Sequence, residues 1–197
     1  MHIDFAPVEN GEIQFLAFSR QFSVADLRAS TNTSVDTLRE IVAQVDDAQV
    51  AFLPHDAEAH DPYAVEGEEE IGWSLGHLIA HVTASSEEWA AYSSILARGI
   101  VYPADPRLRY ETPWREVTTK AHALQRLDES RRIRLGYLDT WPDTPNLEVL
   151  RELSPRFVAK VGELNATACF LFGLRHEVGH YDQIREAVRQ AREATTA

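Results

Sequence analysis

Sulfur is nearly missing from this chain, which has one cysteine, Cys169, and one methionine in 197 residues. A single cysteine excludes an intrachain disulfide and suits a reducing cytoplasm. It lies in the apolar run "ATACFLFGL" without the basic neighbours that lower a thiol pKa, so it reads as a buried, inert thiol. Basic residues are scarce as well: 19 Lys and Arg stand against 31 Asp and Glu, a formal net charge of −12. That balance excludes a protein that tracks nucleic-acid phosphates, and it disfavours an anionic membrane surface. No apolar run approaches the roughly 20 residues of a membrane helix. The opening "MHIDFAPVENGEIQF" carries carboxylates where a signal peptide would be basic. Internal repeats and low-complexity tracts are also missing. Strand signals are few, "IQFLAF" and "RFVAKV" being weak candidates. What remains is the composition of a globular domain, 44% apolar and 25% charged, at a length that fits one domain with a substantial core.

Helical periodicity is plentiful. A first helix is expected from about Ser23 to Asp47, capped by Ser23 with Asp26 at N3, and with Leu27, Leu38, Ile41, Val42 and Val45 at helical spacing. "STNTS" in its middle is poor helix material and predicts a break or kink. The acidic stretch 46–72 reads as a surface loop, with Glu68 to Glu70 as a solvated face and two histidines, His55 and His60, inside it. Ser74 caps a second helix to about Arg98. A third is expected from Pro113 at N1, with Thr112 as cap, to Leu138, its stripe being Val117, Ala121, Leu124 and Leu127. The last runs from about Asn165 to Arg192. These elements predict an all-α protein, most economically a four-helix up-down bundle with long loops: an arm over 1–22 and a bundle over 23–197.

Eight histidines are present, and four of them form two i, i+4 pairs, His77/His81 and His176/His180. On a helix that spacing puts both imidazoles on one face, where both reach one ion. A pair on each of two long helices points to a metal held inside the bundle, against the plainer reading of amphipathic surface or core histidines. The second pair also belongs to "HEVGH", an HExxH. In a zinc peptidase His176 and His180 would bind the ion and Glu177 would be the general base. A third ligand is then needed, yet the chain ends 17 residues after His180 with no further histidine. Glu186 is about 9 Å along the same helix and Glu193 farther still, so neither joins one tetrahedron. The missing ligand has to come from upstream, and the second helix offers one.

"GWSLGHLIAHVTASSEEW" and "RHEVGHYDQI" together resemble the DinB/YfiT-like family of metal-dependent proteins. Trp73-Ser74 followed by His81, then His176, His180, Gln183 and Ile184, match its two motifs in order, about 95 residues apart. The resemblance implies an ion, usually Zn or Ni, bound by His81, His176 and His180 with an open coordination position. It implies an enzyme of the thiol S-transferase type using a low-molecular-weight thiol on a small-molecule substrate. A metal-dependent hydrolase and a non-catalytic metal-binding stress-response protein are the alternatives. Family members are often dimers, so a homodimer is the expected assembly, and no nucleic-acid contact is implied. His77 and Glu177 are the candidate catalytic side chains beside the ligands. The first lines the pocket, packs or shuttles protons; the second is the base only in the peptidase reading and otherwise a solvated helix residue.

Overall fold

The computed structural model describes residues 1–57, 59–60 and 66–196. Among these residues the protein is all-helical. Two short helices, α1 (Ala6–Glu9) and α2 (Phe15–Ser19), precede α3 (Val24–Ala43). Then come α4 (Asp47–Ala51), α5 (Leu75–Ala97), a 3-10 turn at Trp114–Glu116 and α6 (Lys120–Asp139). The chain closes with α7 (Pro155–Val161), α8 (Ala166–Gly179) and α9 (Tyr181–Thr196). No single helix among the described residues is long and apolar enough to cross a membrane.

The caps read from sequence are in place at two helices. Ser23 and Asp26 form a reciprocal capping box, and the Ser74 hydroxyl accepts the His77 N–H. Other expectations need correction. "STNTS" does not break α3, because its small side chains turn inward: Ser30, Thr31 and Ser34 are buried, and Thr31 returns a hydrogen bond to the Leu27 carbonyl at 2.8 Å. The third long helix starts at Lys120 under a Thr119 cap, not at Pro113. The β-branched run Val117–Thr118–Thr119 disfavours helix, and Val117 is pinned in the core. Ala121 is exposed and Ala123 takes its place inside. Both strand candidates are helical: Phe15 and Phe18 share the buried face of α2, and α7 starts on Pro155 under a Ser154 cap.

The bundle is a ring in which α3 packs on α6 and α8, and α5 packs on the same two. Ion pairs Arg28–Asp139, Asp36–Arg131 and Arg39–Asp128 show α3 and α6 antiparallel. Contacts His81–His176 and Trp89–Phe172 show the same for α5 and α8. Strict up-down order stops at the α5–α6 step: Glu87 pairs with Arg126 and Ser94 bonds Thr140, so these two helices run the same way. The reason is the connection between them, which carries three prolines and returns the chain in extended form along α5. Leu108 donates its N–H to Tyr92, Arg107 pairs with Glu88, Arg109 reaches His81, Trp114 stacks on His77, and Val117 abuts Gly76. This returning segment lays charged side chains over the second helix.

The 1–22 segment packs Phe5, Phe15 and Phe18 into the core, with Phe15 against Phe172 of α8 at 5.8 Å. Cys169 is fully buried, and burial pushes its thiol pKa up, as expected of an inert sulfur.

Candidate metal centre

Close approach of α5 and α8 builds the site. Gly173 lies where a Cβ would come 3.1 Å from Ser86 Cα and 3.1 Å from Trp89 Cβ, so a side chain there would push the helices apart. At this contact His81 Nε2 and His176 Nε2 are 3.3 Å apart. His180 completes the group, its ring 5.1 Å from that of His81 and 4.7 Å from that of His176. One ring nitrogen from each residue lies within 4.8 Å of the other two, a set that could hold a metal ion. Among the described residues no carboxylate or thiol belongs to this group.

The last long helix is broken here, a correction to the single helix expected from Asn165 to Arg192: α8 ends at Gly179, His180 is its C-cap, and α9 starts at Tyr181. HEVGH therefore spans a helix end. His180 Nδ1 is 2.8 Å from Gln183 Oε1. An amide oxygen only accepts, so Nδ1 holds the proton and Nε2 keeps its lone pair for an ion. This gives "YDQI" a physical role. On the other side Arg109 Nη2 lies 3.2 Å from both Nδ1 and the carbonyl of His81, and is paired with Glu111. A guanidinium only donates, so His81 Nδ1 accepts from Arg109, while Glu111 Oε2, 3.9 Å from Nδ1, lies beyond hydrogen-bond reach of that ring and bonds Arg109 instead.

Burial is the first cause of depressed pKa values at all three rings. It takes His81 down to about 2 and His176 to about 3, helped by neighbouring rings and Arg109, and it lowers His180 as well. The rings are therefore neutral near pH 7, the form that binds metal. A linked stability effect follows for metal-free protein. Below about 6.5 the unfolded chain takes up protons at these positions that the folded chain refuses. The contribution is fully present above about pH 6.5 and is lost as pH falls towards 3. Thermal melts should show Tm dropping between pH 7 and 5, with His176→Asn flattening the slope. A wild-type profile that is flat in that window would contradict the burial of these rings.

The four remaining sequence candidates lie elsewhere. His77 is buried between the Trp73 and Trp114 rings, at 4.5 and 4.6 Å, and stands outside the three-ring group. His55 and His60 are exposed and also outside it. Glu177 is not a solvated helix residue: it is fully buried, a correction to that expectation. On a helix its Cβ is about 60–100° round from those of His176 and His180, so it faces the bundle axis while they face α5. Its carboxylate pairs with Arg134 of α6 at 3.0 Å, and accepts hydrogen bonds from Ser86 of α5 at 3.0 Å and from Ser34 of α3. Tyr181 of α9 bonds Ser34 at 2.6 Å, its pKa pushed up to about 12 by burial and by the Glu177 charge.

A family model described as the DinB superfamily matches residues 30–184. The chain belongs to the DinB superfamily. Searches of curated proteins and of solved structures give no match. In this DinB protein a cavity of about 630 Å³ opens beside the histidines, with His77, His81 and His176 in its wall. Glu68 and Ile71, from the acidic 46–72 stretch, line it, and Glu68 pairs with Arg115 at its rim. Sequence reasoning missed Arg107, Arg109 and Glu111. Their signal was available: "RLRYE" between Pro106 and Pro113 alternates charged and apolar residues with the period of an extended chain, which aims one set of side chains the same way. Glu186 and Glu193 pair with Arg189 on the outside of α9, as remote from the centre as their spacing predicted.

Proposed function

We propose that this DinB protein is a metal-dependent transferase of the thiol S-transferase type, with a divalent ion, Zn or Ni, held by His81, His176 and His180. The observation that supports it is the convergence of three neutral imidazoles, two of which, His81 and His176, line an open cavity, with no further ligand among the described residues. Three protein ligands and an open position make a catalytic donor set rather than a structural one. An ion bound there supplies Lewis acidity, which holds a thiol as its nucleophilic thiolate. The protein's own groups do the rest. Gln183 fixes the His180 tautomer, and Arg109, bonded to both His81 and Glu111, holds the His81 ring at the cavity wall. A cytoplasmic setting, which suits the lone buried thiol, and a homodimer acting on small molecules belong to the same proposal.

Hydrolysis is the second reading, and Glu111 is what favours it: it is a carboxylate in the cavity wall beside His81. Its ion pair with Arg109 already engages that carboxylate, which ranks the transferase first. The deciding experiment compares Zn- and Ni-loaded protein on thiol–electrophile pairs and on esters and amides. Metal-dependent consumption of free thiol, abolished by a chelator, is the expected result. Ester or amide cleavage without thiol consumption would move the assignment to a hydrolase. Absence of metal-dependent turnover with both would leave a binding protein.

A further inference from the structure

The cavity has two chemically different ends. Along α5, His77, His81, Ser85 and Trp89 recur at every fourth residue and all line it. At 1.5 Å per residue Trp89 stands about 12 Å along the helix from His81. Antiparallel α8 supplies His176 at the first end and Phe172, one turn earlier, at the second. There Trp89, Phe172 and Phe157 of α7 form a closed aromatic group, with centroids at 4.6 Å for Trp89–Phe172, 5.4 Å for Phe157–Phe172 and 5.9 Å for Trp89–Phe157.

Charge is distributed in the same way. The three arginines of the wall each face a carboxylate: Arg107 with Glu88, Arg109 with Glu111, Arg115 with Glu68. Among the described residues that line the cavity, the aromatic end therefore carries no uncompensated charge. At the histidine end Arg109 and Glu111 cancel each other, and three neutral rings add no charge to offset a divalent ion. Anionic or ionisable donors are favoured at that end and flat apolar groups at the other.

We propose that the cavity selects elongated amphiphiles: an ionisable donor group at the histidine end and an uncharged aromatic ring, several bonds away, against Trp89, Phe157 and Phe172. The inference rests on the metal reading above for the donor end only. The aromatic end stands on its own residues.

Cobalt-loaded protein tests both ends separately, because thiolate ligation adds a charge-transfer band and any change of ligand perturbs the d–d bands. Ethanethiol is compared with phenylbutyl thiol, and acetate with phenylpentanoate. Both phenyl-bearing probes should bind at least tenfold more tightly than their short counterparts. Trp89→Ala should narrow that ratio to about threefold or less. Phe157→Ala, at a half-buried site in a short helix, does the same with less risk to the fold. A charge-transfer band absent for both thiols, with the carboxylate ratio kept, sinks the thiol reading and supports the aromatic end. Equal affinities within each pair, or ratios unmoved in a folded Phe157→Ala protein, overturn the inference while leaving the metal centre intact. Isothermal titration of metal-free protein with phenylpentanoate and acetate gives a second measure of the ring's contribution. A preference there supports the inference even if cobalt fails to bind, and no preference overturns it.

Discussion

Glu177→Leu should unfold this protein far more readily than it should alter any chemistry. The carboxylate is fully buried and is joined to Arg134, Ser34 and Ser86, so one side chain on α8 is tied to α6, α3 and α5. Removing it leaves the Arg134 guanidinium, itself 1% exposed, as a buried charge without its counter-ion. Breaking such a pair costs about 3–5 kcal/mol, a Tm loss of roughly 6–20 °C at this chain length. Urea unfolding of metal-free wild type, Glu177→Leu, Arg134→Met and the double variant is the measurement. Each single change should lose several kcal/mol, and the double variant should recover much of it, because replacing both ions with apolar groups is often neutral or better. A Glu177→Leu protein within about 0.5 kcal/mol of wild type would behave like a surface substitution and would refute the buried link.

Glu177 also marks where sequence reading stopped working. HExxH suggests a base beside a metal, and a shortage of downstream ligands removes that role, but spacing alone then leaves a glutamate on a helix with no stated task. Its surroundings come from three other helices. The partners Ser34, Ser86 and Arg134 are 143, 91 and 43 residues away in sequence, and nothing local to any of them announces the meeting. "STNTS" misled for the same reason: its low helix propensity is real, but tertiary burial of Ser30, Thr31 and Ser34 outweighs it. Arg126, Ser130 and Arg134 are likewise buried on the inner face of α6, which blurs the amphipathic pattern used to find its apolar stripe.

The histidine centre was legible because it is written in local terms. Each helix carries its own i, i+4 pair, and helical geometry turns that spacing into a shared face without knowledge of the rest of the fold. The choice between His77 and His81 was not local: it rested on the family resemblance, and in the structure His81 is the ring that lies opposite His176. The return of residues 107–117 along α5 could not be read from periodicity, since an extended segment between prolines leaves its direction open. That return fixes the parallel α5–α6 pair and delivers Arg109 and Glu111 to the histidines.

The two histidines of "GHLIAH" should therefore give opposite results when they are removed. His81→Ala deletes one of the three imidazoles that, among the described residues, have nitrogens within 4.8 Å of one another. Two ligands on one helix end do not make a stable site for a divalent ion that takes four. Elemental analysis of purified protein should fall from about one Zn or Ni per chain to background, as it should for His176→Ala and His180→Ala. His77→Ala removes a ring packed between Trp73 and Trp114 but no ligand, so metal content should stay near one per chain while the stability of the fold drops. Melts with and without metal separate the two effects. A bound ion raises Tm by mass action, and that increment should vanish in His81→Ala and persist in His77→Ala. Retention of stoichiometric metal by a folded His81→Ala protein would refute the three-histidine centre, because α5 places no other imidazole in that group.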